Sequence, residues 1–176
     1  MHEKTLKSTR IYDGKVVNLR VDTVELPDKK YSKREIIEHA GAAAVVPLTE
    51  DRRVILVKQF RKPVEEVLYE IPAGKLETKE SPEKCALREM AEETGYTAGS
   101  LEKIISYYAS PGFSNEIIHV YVAKNLTEGK ARPDEDEYLE VIAVPLDEAL
   151  AMIHRGQIRD SKTIVGLLMV AQPKDQ

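Results

Sequence analysis

The sequence predicts an α+β fold built around a mixed sheet. Three observations carry this expectation. Segments with strand character outnumber helical ones. The two kinds do not alternate along the chain, as a doubly wound fold requires. No internal repeat or low-complexity linker divides the sequence. At 176 residues the chain fits one domain with a small appendage.

The elements follow in order. Ile11 to Val16 carries a turn at Asp13-Gly14. From Val16 to Leu26, Val17, Leu19, Val21 and Thr23 alternate with Asn18, Arg20 and Asp22, which is the period of a half-covered strand. Pro27 to Lys30 reads as a turn, and Lys33 to His39 as a returning strand. Gly41 opens an apolar run, Ala42 to Leu48. Glu50 to Arg52 turns the chain into a β-branched strand, Val54 to Phe60. Val67 to Ile71 is a short segment leading into Pro72-Ala73-Gly74. Ser81 is suited to cap a helix, with Pro82 at its first position and Gly95 just past its end, so a helix is expected over Pro82 to Thr94. Strands are expected at Leu101 to Tyr108, Glu116 to Ala123 and Tyr138 to Val144. Helices over Leu146 to Arg155 and Ser161 to Ala171 close the chain. Residues 1–40 are read as an N-terminal β region and 41–176 as the main domain. The competing reading makes the first strands part of the main sheet.

Composition narrows the function. With 42% hydrophobic and 32% charged residues, the chain can bury a real core. No stretch approaches the ~18 consecutive apolar residues of a membrane span, so no membrane role is expected. A net charge of −4 is a poor footprint for nucleic-acid binding. The single Cys85 has no internal disulfide partner, and Met1 to Arg10 lacks the apolar core of a signal peptide. Both point to the cytoplasm. His2, His39, His119 and His154 show no metal-ligand spacing, and Cys85 reads as a packed residue.

The chemistry lies between Gly74 and Tyr96. At ~100° per residue, Leu87, Met90, Ala91 and Thr94 share one helix face, expected to be the buried one. Glu89, Glu92 and Glu93 crowd together away from it. A solvated charged face is the plain reading. Against it, like charges at i,i+4 cost ~0.2–0.5 kcal/mol per pair, and Glu92 and Glu93 sit in the last turn, where the macrodipole disfavours anions. Only Arg88 is near to offset them. A hard divalent cation such as Mg²⁺ or Mn²⁺ would relieve the repulsion. Spacing alone leaves both readings open.

The segment from Gly74 to Tyr96 resembles a complete Nudix box. The family pattern runs Gly, five residues, Glu, seven residues, Arg-Glu, an apolar residue, any residue, Glu-Glu, any residue, Gly, then an apolar residue. Gly74, Glu80, Arg88, Glu89, Glu92, Glu93 and Gly95 fill its fixed positions, and Tyr96 takes the last. The resemblance implies an α/β/α sandwich around a mixed sheet, and hydrolysis of a diphosphate linked to another group with Mg²⁺ or Mn²⁺, two or three ions per site. It implies Glu89 and Glu93 as principal metal ligands, with Glu92 as a third acidic group that ligates or orients. The Ala73 carbonyl is implied as a further ligand. Gly74, Glu80 and Gly95 are implied as supporting residues, and Arg88 as an ion-pair partner of Glu80 in the catalytic helix.

Three features resemble the ADP-ribose pyrophosphatase branch. Pro111 stands sixteen residues after Gly95, within Ser110-Pro111-Gly112-Phe113-Ser114-Asn115; as plain structure this is an ordinary turn. Arg61, in Gln59 to Val64, matches a segment where an arginine contacts the diphosphate or the terminal ribose. The opening β region is similar to a dimer-forming part from which a residue, here Arg20, reaches the adenine. The acidic loop Arg132 to Tyr138 reads by default as a solvated loop, but the resemblance implies a glutamate there as base or added metal ligand; Glu135 and Glu137 both fit, and Glu135 is preferred as base. The implied products are AMP and ribose 5-phosphate. Alternatives are a nucleoside triphosphate pyrophosphatase acting on oxidised nucleotides, and a non-catalytic nucleotide-sugar sensor on the same fold. A homodimer through residues 1–40 is expected.

Overall fold

The structure is a computed structural model that describes residues 2–132 and 138–172. Two compact units emerge, one of Met1–Gly41 with Tyr107–Ile117, the other of Ala42–Ser106 with Ile118–Gln176.

In the first unit, β1 (Lys4–Asp13), β2 (Asn18–Glu25) and β3 (Tyr31–Glu38) form an antiparallel sheet in that order. Gly14 N–H closes the first turn on the Val17 carbonyl at 3.2 Å. Leu26 and Lys30 close the second, with Lys29 left-handed at φ 67°. The later segment joins this unit through main-chain bonds: Ile37 N–H to the Phe113 carbonyl at 2.8 Å, and Asn115 N–H to the Ile37 carbonyl at 3.2 Å. Within the chain the buried residues of β2 are Asp22 and Val24, while Val17, Leu19 and Val21 are half-buried. A buried acid is tolerated there because the Arg20 guanidinium lies 3.3 Å from it.

The second unit carries the expected mixed sheet. Its order is β7 (Ala73–Lys75), β4 (Ala42–Pro47), β9 (Ile117–Thr127) and β8 (Thr97–Tyr108). β4 runs parallel to β9 and antiparallel to β7. A separate antiparallel sheet holds β10 (Leu139–Pro145), β5 (Arg53–Arg61) and β6 (Glu66–Glu70). Three helices follow the expected spans: α1 (Pro82–Thr94), α2 (Leu146–His154) and α3 (Ser161–Ala171).

β4 explains the layering. Successive side chains leave a strand on opposite faces, and β4 is apolar on both. Ala43 and Val45, with Tyr121 and Ala123 of β9, pack against Cys85, Ala86 and Met90 of α1. Val46 and Val120 approach α3 at Gly166, where an added Cβ would lie 2.9 Å from Val46 Cγ2. The strand is thus sandwiched between helices, and its near-continuous hydrophobic run is what that position demands. Among the described residues no helix is long and apolar enough to cross a membrane.

Candidate active site

Helix α1 starts and stops as its sequence dictates. The Ser81 hydroxyl accepts from Lys84 N–H, Pro82 occupies the first turn, and Gly95 ends the helix at φ 79°. Gly95 has a second reason to be glycine. A Cβ there would stand 2.6 Å from Ala131 N and 2.7 Å from the Gly129 carbonyl. Arg132 N–H donates to the Glu92 carbonyl at 2.8 Å, so the residues leading into the acidic loop lie along the end of α1.

The buried face of α1 keeps Met90 and Thr94 of the expected set but is rotated away from Leu87 and Ala91. Cys85, Ala86, Met90, Glu93 and Thr94 are buried, while Leu87 is exposed. The helix is therefore rotated so that Glu93, only 3% exposed, sits at the edge of the buried arc. Its Oε2 accepts the Ala73 N–H at 3.2 Å. Glu89, one turn earlier on the same stripe, lies directly over Gly74; a Cβ at Gly74 would run into the Glu89 carboxylate. Both carboxylates thus meet the same two-residue stretch of main chain, at the start of β7.

Arg88 organises the rest. Its guanidinium donates to both oxygens of Glu80 at 2.9 and 3.0 Å, to Glu89 at 2.7 Å and to Glu92 at 3.0 Å. Hydrogen bonding from Arg88 holds the Glu80 carboxyl down at about 2. Glu80 in turn accepts Glu77 N–H at 3.1 Å, closing the turn before the helix. The implied Glu80–Arg88 pair is present. The repulsion inferred for the acidic cluster is partly compensated by Arg88. Glu92 is drawn toward Arg88, and among the described residues no three acidic, cysteine or histidine side chains are gathered into a finished metal cage. The donor set still suits a hard cation: carboxylate oxygens of Glu89 and Glu93 beside the Ala73–Gly74 main chain, in a cradle that only glycine leaves open. Cys85 is buried, and burial and the nearby Glu80 and Glu89 charges push its thiol up to about 12, so it stays a packed thiol.

Arg61 ends β5 in a bidentate pair with Glu70, both bonds at 2.7 Å. Glu70 is 1% exposed. Burial pushes its carboxyl up, and Arg61 and Lys162 more than reverse that, leaving it below its ordinary value. Arg61 keeps 41% of its side chain exposed and is raised by its hydrogen bonds to Glu70 and by the charges of Glu70, Glu93 and Asp160. A cation is thereby fixed within electrostatic reach of Glu93. Sequence reading misses Glu70, Asp160, Lys162 and Thr163, which support this corner. Their partners lie up to 92 residues away, and no local pattern announces them.

Arg20, Pro111 and Ser114 are brought together in the first unit. They line a cavity of about 440 Å³ with Arg34, Phe113 and Asn115. Arg20 pairs there with Glu38, and Arg34 with Glu3 at 2.7 Å. Glu135 and Glu137 lie outside the described residues.

Comparison with known proteins identifies what the chain is similar to. Residues 38–165 match the family model of the NUDIX domain, and residues 3–37 that of the nucleoside diphosphate sugar hydrolase N-terminal domain. An ADP-ribose pyrophosphatase of Bacillus subtilis (strain 168) is 52% identical over 165 residues, covering 93% of this chain and 89% of that protein. A methanol dehydrogenase activator of Bacillus methanolicus is 51% identical over 167 residues, covering 94% and 90%. The crystal structure of an ADP compounds hydrolase superposes with a TM-score of 0.85 at 19% identity, covering 97% of this chain and 92% of the other. That likeness bears on the fold.

Proposed function

Because this chain belongs to the Nudix hydrolase family, we propose that it hydrolyses the diphosphate of ADP-ribose to AMP and ribose 5-phosphate, or that of a related nucleoside diphosphate sugar to the corresponding nucleoside monophosphate and sugar phosphate. The observation that carries this reading is the meeting of Glu89 and Glu93 at Ala73–Gly74 within an intact box. The N-terminal match to nucleoside diphosphate sugar hydrolases favours a sugar-linked substrate over a triphosphate.

Glu89, Glu93 and the Ala73 carbonyl would hold Mg²⁺ or Mn²⁺, two or three ions with help from Glu92. Bound there, such ions would supply charge neutralisation for the diphosphate oxygens and a lowered pKa for a water. Arg61, immobilised by Glu70, would hold the substrate's phosphates or terminal ribose with a preset guanidinium. Arg88 would keep Glu89 and Glu92 from drifting apart. Glu135 would take the proton from the nucleophilic water, with Glu137 as the alternative base. Arg20, Pro111 and Ser114 would contact the nucleotide. The reduced, buried Cys85 fits a cytoplasmic setting.

With Mg²⁺ present, ADP-ribose is expected to give AMP and ribose 5-phosphate, with kcat/KM well above that for any nucleoside triphosphate. Chromatography of products from a panel of ADP-sugars, GDP-sugars and triphosphates checks this. A preference for triphosphates would reassign the protein to nucleotide cleaning.

Residues 1–40 would form a homodimer interface. All ten residues of β1 are exposed, at the edge of a three-stranded sheet, and Leu6, Ile11 and Tyr12 are among them. A small sheet with an open edge is marginal alone and prone to pair. Light scattering at micromolar concentration is expected to report a dimer; a monomeric full-length chain would refute the interface.

A further inference from the structure

The main chain that meets Glu93 is held in series. Glu70 is gripped by Arg61 and by the ammonium of Lys162. Ile71 N–H donates to the Thr163 hydroxyl at 2.8 Å. The Pro72 carbonyl accepts Val45 N–H at 3.0 Å. Ala73 pairs with Ala44 and donates to Glu93. Two of these grips come from consecutive residues in the first turn of α3.

Thr163 is fully buried, and both capacities of its hydroxyl are used. It accepts from Ile71 and donates to Asp160 Oδ2 at 2.6 Å. Asp160 caps α3, taking Thr163 N–H at 2.9 Å on the same oxygen and the Lys162 ammonium at 3.0 Å on the other. The hydroxyl proton therefore has one direction, and its lone pair faces Ile71. One turn along the helix, Gly166 lets α3 stand close to the sheet. A Cβ there would crowd Val46 at 2.9 Å and Ile71 at 3.1 Å. That approach is what allows so short a side chain to reach the Ile71 amide.

We propose that Thr163, oriented by Asp160, is a positioning residue for the carboxylate site, fixing the Ile71–Ala73 main chain against which Glu93 is aligned. The proposal rests on the metal-dependent reading given above. A valine at this position has nearly the volume and branching of threonine and loses only the hydroxyl. Ile71 N–H would then be buried without a partner, a state the main chain can relieve only by moving. Pro72 has no N–H and is held through its carbonyl alone, on Val45 N–H, so a shift at Ile71 tilts the Pro72–Ala73 peptide and with it the Ala73 N–H that meets the Glu93 carboxylate.

The test compares Thr163→Val and Thr163→Ser in the full-length protein. Mn²⁺ binding is read by electron paramagnetic resonance, and exchange of the Ile71 amide by NMR. Thr163→Val is expected to weaken Mn²⁺ binding on the order of tenfold, to speed Ile71 exchange, and to lower kcat with little change in KM. Thr163→Ser is expected to restore all three. A merely structural hydroxyl would change thermal stability and leave Mn²⁺ affinity of the folded protein alone. Equal Mn²⁺ affinity in wild type and Thr163→Val overturns the proposal, as does a Thr163→Ser variant as weak as Thr163→Val. Wild-type protein that binds no Mn²⁺ overturns the metal reading itself, and this inference with it. Should Thr163→Val fail to fold, Asp160→Ala frees the hydroxyl proton while keeping the hydroxyl. It is expected to weaken Mn²⁺ binding to a smaller extent, and unchanged affinity there overturns the proposal.

Discussion

Glu93→Gln is expected to lower kcat by about 10²-fold or more while the protein stays folded, and Glu89→Gln is expected to do the same. The amide keeps the shape of the carboxylate and one acceptor oxygen, so the bond from Ala73 N–H to residue 93 survives. What is lost is a negative charge that would hold a cation beside the diphosphate. Stability should hold, because each variant relieves like-charge repulsion among Glu89, Glu92 and Glu93 while losing part of a favourable contact. The last turn of α1 contains no basic residue, and anions there oppose the helix dipole, although Arg88 reaches Glu92 from one turn earlier. Glu89 also loses part of its pair with Arg88, at 2.7 Å, but the guanidinium retains Glu80 on two bonds. Steady-state kinetics with saturating Mg²⁺, together with thermal unfolding of the same samples, checks both halves of the expectation. Near-wild-type turnover in both variants would remove these residues from the site. Reduced turnover with loss of the folded transition would make them structural instead.

Glu89 and Glu93 stand on the element most legible in the sequence. Helix α1 is readable from end to end because its signals are local: a serine cap, a proline in the first turn, a glycine at the left-handed stop. Its rotation is not. Helical periodicity puts the buried arc around Leu87 and Ala91, since hydropathy ranks a glutamate as surface. Glu93 nevertheless turns inward, because an amide 20 residues earlier in the chain is there to meet it. The same blindness hides β7. Three residues of Ala-Gly-Lys carry no strand pattern, and they become a strand by pairing with Ala42–Ala44 of β4. In β2 the alternation is real, but the buried side is the one with Asp22, which has Arg20 beside it. The Arg61–Glu70–Lys162 corner is half visible. Arg61 stands out by resemblance, whereas the buried acid that fixes it looks like one more glutamate at a strand end. For Glu93, β7 and Glu70 the missing information is a partner distant in sequence. Local pattern can say that a polar group will need a partner if buried, and it cannot say that one will arrive.

Gly74→Ala is expected to leave stability nearly unchanged and to lower kcat by about 10²-fold. The contrast with Gly95 shows why. At Gly95 an added Cβ would meet main-chain atoms, Ala131 N at 2.6 Å and the Gly129 carbonyl at 2.7 Å, in a residue already left-handed at φ 79°. Nothing there can yield cheaply, so alanine at 95 would damage the fold. At Gly74 the nearest atoms are those of the Glu89 carboxylate, the far end of a flexible side chain. Rotation about the Glu89 side-chain bonds relieves the contact, and the main chain of β7 can remain paired with β4. The relief comes at the one place where displacement matters, since the carboxylate moves off the Ala73–Gly74 stretch that it shares with Glu93. Arg88 can follow it or retain Glu80 and Glu92, so the ion-pair network gives no restoring force strong enough to bring Glu89 back. Thermal unfolding, Mn²⁺ binding and turnover measured on one preparation separate the possibilities. An unchanged unfolding midpoint with weakened Mn²⁺ binding and slow turnover supports a glycine kept for the carboxylate. An unchanged midpoint with wild-type turnover would show that Glu89 does its work from another rotamer, and that the close packing on Gly74 is incidental.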